Sequence, residues 1–424
     1  MHEGYITTIK ELHKHSNADR LQCATIFGSN VIVGLDTKIG DLGVYFPVDL
    51  QLGQEFAEKN NLLRKKDENG NEIGGYLDPV KRNIKAINLR GEKSDGLFLP
   101  IESLKDFTDI SKLKEGDKIT TLNGYVICEK YIPRTNVKQP QQKIKKLKRR
   151  KVIEHLQFQE HVDTEQLMYN LDNFKEGDYC EITLKLHGTS GRTALVLKDD
   201  NSLFGKIKRK LGIQEYDEVS GTRRVVLDGF DGGFYGTNEF RKKYHDLLND
   251  KLYKGITLYY EIVGYVDENT LIMPECDNKK VKDKEFEKVY GKTTKFTYGC
   301  NPGENEMYVY RMTLTTPDDL VFEVPYETMK VYCEQIGIKV VPLLEKFMFT
   351  TQEDLLERVD KYMDIPDPIG KSHVSEGVVV RIENKPKFTA FKQKCWFFKI
   401  LSGIIQENLN DTYLNMGDDL LSEI

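Results

Sequence analysis

The chain has 424 residues, of which 39% are hydrophobic, with 22 Tyr and 20 Phe; that is enough for sizeable cores and two or three domains, and it excludes a largely disordered chain. A formal net charge of −5 argues against a protein that merely coats nucleic acid, and the seven Cys form no CxxC pair and no metal-ligand spacing, which suits a reducing compartment. The opening MHEGYITTIKELHKHSNADR lacks an apolar signal core and no run reaches the ~18 apolar residues of a membrane span, so a soluble, cytoplasmic protein with no membrane partner is expected.

Residues 1–135 read as short strands between turn residues: GYITTIKEL, RLQCATIF, VIVGL, LGVYFPV, IKAINL and GLFLPI. Their spacing predicts a small OB-like β-barrel. The segments HSNADRLQCATIFGSNVIVG and KIGDLGVYFP are similar to OB modules of tRNA-binding and RNA-ligase proteins, although a barrel without nucleic-acid contacts has such strands too. A basic linker follows at 136–151, where KIKKLKRRK (143–151) holds seven basic residues in nine, with Lys138 upstream. Two readings are open for it, a solvated connection or a strap that tracks phosphates and weakens with salt.

From 152 to 424 the pattern is mixed α+β. DTEQLMYNLDNF predicts a helix capped by Asp163 or Thr164. In TNEFRKKYHDLLNDKL the residues Phe240, Tyr244, Leu247 and Leu248 form one apolar helical face. A third helix is predicted over Tyr326 to Ile336, with Gly337 as its C′ residue, and a fourth in TQEDLLERVDKYM, framed by Thr351 and Asp354. The stretch 264–296, rich in Lys, Asp and Glu, reads either as an insertion over a site or, preferred here, as a solvated loop.

Chemistry concentrates on strands. In EITLKLHGTSGRTALV (181–196), alternation puts Ile182, Leu184 and Leu186 on one face and Glu181, Thr183, Lys185 and His187 on the other. LYYEIVG places Glu261 in an aromatic-aliphatic strand, where an unpaired carboxylate is costly. SEGVVVRIEN sets Glu376 before Gly377, and TAFKQKCWFFKIL aligns Ala390, Lys392 and Lys394 on one face. Each alone is compatible with surface patterning.

The ordered set resembles the covalent nucleotidyltransferase superfamily of ATP-dependent ligases and capping enzymes. Lys185-Leu186-His187-Gly188 matches its KxxG motif, Glu261 its third motif, Glu376-Gly377 its fourth and Lys392-Gln393-Lys394 its fifth; Tyr308 and Tyr310 stand where an aromatic stacks on the base. Within it the chain is most similar to ATP-dependent RNA ligases with an N-terminal OB domain, the fifth RNA ligase family, and SGTRRVV (220–226) resembles a turn of RNA ligases. The resemblance implies an adenylyltransferase domain of antiparallel sheets flanked by helices over 152–424 and an OB domain at 1–135 that positions nucleic acid. It implies ATP and a divalent metal, Mg²⁺ or Mn²⁺, as cofactors. It also implies RNA 3′-OH and 5′-phosphate ends, in a nicked duplex or otherwise, as substrates joined in RNA repair.

Carried over residue by residue, Lys185 would take AMP, Glu261 and Glu376 would hold the metal, and Lys392 and Lys394 would act on the phosphates. Leu184, His187, Gly188, Arg192, Arg223 and Arg224 would line the nucleotide, Gly188 by admitting it without a Cβ clash; for each arginine a surface role is equally open. Position 187 is His where better-known members carry Asp or Asn, and a histidine can still donate to a ribose hydroxyl. Nearby Lys392 and Lys394 are expected to favour neutral Lys185. A DNA ligase, a capping guanylyltransferase and a non-catalytic RNA-binding protein remain as alternatives.

Overall fold

The structure, a computed structural model, describes residues 3–131, 157–198, 203–281 and 283–404, apart from 49, 67–71, 74, 76 and 228. The basic linker, 136–151, lies outside the described residues. The described residues form two compact units. One comprises 3–131 with 280, 281, 283 and 399–404, and the other 157–279 with 284–398. Among the described residues no helix is long and apolar enough to cross a membrane.

The first unit is built from the short strands expected. β1 (Gly4–Thr8), β5 (Leu42–Phe46), β6 (Leu97–Pro100) and β7 (Lys118–Ile119) form one antiparallel sheet in the order β6-β5-β1-β7. β2 (Glu11–Lys14), β3 (Leu21–Ile26) and β4 (Ser29–Gly34) form a second. Ile6, Val44, Phe46, Leu97 and Leu99 meet Phe56 of α1 (Gln54–Lys59) and Phe107 in one core. Aromatic rings 5.4–5.6 Å apart run through that core from Phe46 to Phe107.

In the second unit two antiparallel sheets carry the chemistry. The first holds β8 (Tyr179–Lys185), β14 (Leu343–Met348), β15 (Gly377–Ile382) and β16 (Ala390–Lys394), with Glu165–Gln166 as an edge, in the order edge-β16-β15-β8-β14. The second holds β9 (Thr189–Leu197), β10 (Tyr216–Gly221), β11 (Ile256–Gly264), β12 (Asn305–Thr315) and β13 (Val321–Glu323), in the order β10-β9-β11-β12-β13. Cys180, Ile182, Val378, Val380 and Ile382 cover one face of the first sheet and pack with Phe347, Leu355 and Val359. The other face of β8 is also covered, since Glu181 is only 1% exposed. Alternation therefore separates two buried faces here, and it does not separate core from solvent.

The helices answer the periodicity in three cases of four. α2 (Glu239–Leu248) buries Phe240, Tyr244 and Leu248, and also Arg241. α4 (Tyr326–Gln335) is followed by Gly337 at φ +77°, and Thr351 caps α5 (Gln352–Asp360) by accepting the Asp354 N–H. The helix expected in DTEQLMYNLDNF does not form. Glu165 and Gln166 instead pair in parallel with Phe391 and Lys392, and the chain closes into 3₁₀ turns over Leu167–Tyr169 and Leu171–Asn173. Sheet pairing has taken the backbone groups that a helix would use, and Asn170 Nδ2 donates to the Gln166 carbonyl. Asp163 caps nothing there; it pairs with Arg223 and Arg224.

The stretch 264–296 is ordered rather than a solvated loop. It contains the pair Cys276–Asp277 with Thr293–Thr294 and α3 (Lys284–Tyr290), and it buries Val281, Phe286 and Phe296. Apolar anchors spaced without a period hold it, so pattern reading passes over them.

Candidate active site

Register brings the site together. Lys185 on β8 lies opposite Gly377 on β15, and Gly377 lies opposite Lys394 on β16, with Val379 opposite Lys392 one pleat on. Lys185 Nζ sits 2.9 Å from Glu376 Oε1, and Lys394 Nζ 3.9 Å from the same oxygen. In the other sheet Ser190 faces Glu261 across β9 and β11, and Ser190 Oγ donates to Glu261 Oε2 at 3.0 Å. Arg241 of α2 holds this edge from behind, donating to the Ser190 carbonyl at 2.9 Å and to Thr189 Oγ1 at 2.6 Å.

Two glycines are required by these approaches. A Cβ at Gly377, whose φ is +144°, would lie 2.0 Å from the Gln393 carbonyl oxygen; one at Gly188 would lie 2.2 Å from that of Ile262. Gly188 thus makes room for β11 beside Glu261.

The site is electrostatically polarised. Burial alone would lower Lys185, but Glu376 and then Glu261 outweigh it and hold the ammonium above its ordinary pKa. Burial likewise opposes the Glu376 carboxylate, yet Lys185, His187 and Lys394 keep it below its usual range. The two partners agree in direction, as a contact at 2.9 Å demands. Glu261 differs: burial raises it to about 7, Lys185 only partly compensates and Glu376 adds repulsion. Burial, then Lys185 and Lys394, push Lys392 down to about 7. The expectation that the lysine pair would neutralise Lys185 is therefore reversed in this state, because the carboxylate in direct contact outweighs more distant cations.

His187 is neutral, pushed to about 4 by burial. Its ring lies edge-on between Phe296 at 4.9 Å and Phe398 of α6 (Trp396–Leu401) at 4.8 Å, with Nδ1 3.8 Å from Glu376 Oε2. Its backbone N–H donates to the Tyr298 hydroxyl at 2.7 Å.

The remaining residues divide. β12 carries a bulge opposite Tyr259 and Tyr260, which makes Tyr310 the extra residue. Burial and then Glu261 push the Tyr310 phenol up, with Arg223 opposing, so Tyr310 borders the site. Tyr308, the direct partner of Glu261 across β11 and β12, answers after burial to Glu306 and Cys300, and its ring lies under Lys339 Nζ at 5.9 Å. Arg192 is only 2% exposed. Its guanidinium donates to the Thr222 and Phe158 carbonyls and stacks 4.2 Å from the Phe158 ring, so it does not offer itself to a phosphate. Arg223 reaches the field of Lys392, whereas Arg224 is exposed. Leu184 supports the strand from the core, its N–H donating to the Pro342 carbonyl at 2.9 Å.

Sequence reasoning did not find Ser190, Arg241, Phe296, Tyr298 or His161. Ser190 was within reach, since it follows the KxxG turn on a strand. His161, pushed to about 3 by burial and then Arg311, lies edge-on to Tyr310 at 5.0 Å, but no motif announces it. Among the described residues no group of three or more His, Cys, Asp or Glu side chains is gathered as a metal cage. Glu376 Oε2 is nevertheless buried without a hydrogen-bond partner, and Glu261 beside it is destabilised as an anion. A hard cation shared by two carboxylates fits both observations.

Comparison with known proteins follows the same lines. No curated protein sequence matches the chain. An OB-fold domain model matches residues 4–101. Among solved structures, a Naegleria gruberi RNA ligase mutant with ATP and Mn is similar at 17% identity and TM-score 0.58, over 92% of this chain and 96% of that one. Another mutant of that ligase, with AMP and Mn, gives TM-score 0.59 at 17% identity over the same shares. The ligase with PPi gives 0.57 at 16% identity over 99% of each. At such identities the likeness establishes the fold: an OB domain and a nucleotidyltransferase-type α+β unit of antiparallel sheets. The RNA ligase family model matches residues 178–397, more than half the chain and a range that holds Lys185, Glu261, Glu376, Lys392 and Lys394, and the chain belongs to the RNA ligase family.

Proposed function

We propose that this RNA ligase uses ATP and a divalent metal, Mg²⁺ or Mn²⁺, to join RNA 3′-OH and 5′-phosphate ends through an AMP adduct on Lys185, in RNA repair. The observation that carries the reading is the Lys185–Glu376 contact at 2.9 Å, flanked by Lys394 on the same oxygen. A half-buried lysine held against a buried carboxylate is a charge pair waiting for a triphosphate to alter its balance.

In the first step Lys185 gives its ammonium proton to solvent water and Nζ attacks the α-phosphorus. The N–P bond forms as the bond to the bridging oxygen breaks, and pyrophosphate leaves with that electron pair. Lys392 and Lys394 counter the charge that grows on the α-phosphate oxygens. Glu261 and Glu376 would hold a divalent cation, which would supply further charge neutralisation at the phosphates and offset the carboxylate charge that favours the Lys185 ammonium. Tyr310 stacks on the base, and Ser190 holds Glu261 in place.

In the second step a 5′-phosphate oxygen takes the adenylyl group and Lys185 is regenerated. In the third an RNA 3′-hydroxyl, losing its proton, displaces AMP. The first unit, with the basic linker, positions the RNA, in a nicked duplex or otherwise. Seven scattered cysteines suit a reducing cytoplasm.

The decisive test is incubation with α-labelled ATP and Mg²⁺ or Mn²⁺. The wild type is expected to take up label covalently, and Lys185→Ala to take up none. Absence of label from wild type with every metal tried rules the mechanism out.

A further inference from the structure

The stretch between β11 and β12 sends one side chain to a place where packing alone does not account for it. Tyr298 is 3% exposed and sits at φ +53°, a left-handed conformation that a tyrosine rarely adopts. Its hydroxyl receives the His187 N–H at 2.7 Å. That N–H lies just past the end of β8, beyond the ladder, and buried donors need partners.

The ring of Tyr298 meets a second segment. It stands edge-on to His373, with centroids 4.5 Å apart, and His373 is fully buried with Nδ1 at 2.9 Å from the Val374 carbonyl. A Cβ on Gly370 would lie 2.5 Å from Gly299 N and 2.7 Å from Tyr298 C, so the two backbones are in close contact. Asp367 closes that loop by accepting the Gly370 N–H at 2.6 Å. The segment continues through Val374 and Ser375 into Glu376. One tyrosine therefore touches both chains that carry the Lys185–Glu376 pair: by hydroxyl, the turn after Lys185, and by ring, the run into Glu376.

We propose that Tyr298 is a positioning residue for the nucleophile, its hydroxyl locking the 186–188 turn against the 373–376 run so that Lys185 Nζ is held in line for attack. It acts through the backbone and touches no reacting atom. The proposal rests on the lysyl-AMP reading above. Lys185 is the attacking group only in the first step, whereas joining of RNA that already carries a 5′-adenylyl group needs no attack by Lys185.

The test compares these two steps in the full-length chain carrying Tyr298→Phe, which removes the hydroxyl and keeps the ring on His373. Single-turnover adduct formation at saturating ATP is expected to slow ~10–100-fold, the scale of a small misalignment of a nucleophile. The half-saturating ATP concentration and the joining of chemically 5′-adenylylated RNA should each stay within ~3-fold of wild type. Taking both rates on one preparation makes their ratio independent of the fraction folded. Phe296→Leu, which loosens the same packing but keeps the hydroxyl, is expected to lower both rates in parallel. Equal loss of both steps in Tyr298→Phe, or loss of neither, overturns the proposal. Failure of wild type to take up AMP overturns the ligase mechanism itself, so the two failures are distinguishable.

Discussion

At the scale of single residues, neighbours decide charge more than residue type does. Lys185 and Lys392 are both half-buried lysines, yet one is held cationic by Glu376 while the other is pushed down to about 7. Glu181 offers a test away from the reacting atoms. Burial first and then Glu383 raise it to about 8 from 4.5, while Glu383 is held by Arg381 at 3.1 Å. Between those values the folded protein retains a proton that the unfolded chain has lost. Its contribution is thus complete below pH 4.5 and disappears as pH climbs through about 8. Glu181→Gln, which mimics the protonated acid, should flatten the fall in Tm between pH 5 and 8.5 and melt higher than wild type at the upper end. A gain of ~1–2 kcal/mol would appear as roughly 2–8 °C for a unit of this size. A variant melting curve that keeps the wild-type slope would show that Glu181 does not hold the proton.

At the scale of elements, the site is a product of strand register. Gly377 must lie between Lys185 and Lys394, and its missing Cβ admits the Gln393 carbonyl. Gly377→Ala is therefore expected to destabilise the second unit by about 2–4 kcal/mol and to reduce adduct formation, measured by melting and by label uptake. Lys185, Glu261, Lys392 and Lys394 stand on strands and Glu376 just before one; alternation alone leaves each compatible with surface patterning, and the order of their motifs along the chain is what makes them legible in the sequence. Arg192 could not be placed that way. It shares a face with Ser190, but the Thr222 and Phe158 carbonyls that occupy it come from elsewhere in the chain. DTEQLMYNLDNF failed for a related reason, since only the folded protein supplies Phe391 and Lys392 as an alternative to helical pairing. Tyr298 carried no signal at all, being held by a turn whose anchors follow no period.

At the scale of the whole molecule, a net charge of −5 coexists with a reaction on a polyanion, so electrostatics must be local. Label uptake from ATP should change little between 50 and 200 mM salt, because its charges are enclosed. RNA sealing at subsaturating RNA should fall steeply over the same range, with a log–log slope of about −0.7 to −0.9 for each phosphate contact made. A sealing rate as indifferent to salt as label uptake would remove the basic linker from any role in holding RNA.

The first unit is assembled from three separated stretches of chain. Lys280 Nζ donates to the Leu401 carbonyl at 3.0 Å, and Lys399 Nζ meets Asp95 Oδ2 at 3.1 Å. On the ribosome this sets a birth order. The strands of the first unit emerge early, but their last partners arrive only when nearly all of the second unit has been made. The nascent chain can close the N-terminal core, whose residues all lie within 6–128, long before the ligase unit is made, and truncation just before residue 399 should cost the newborn protein the Asp95 ion pair but not that core.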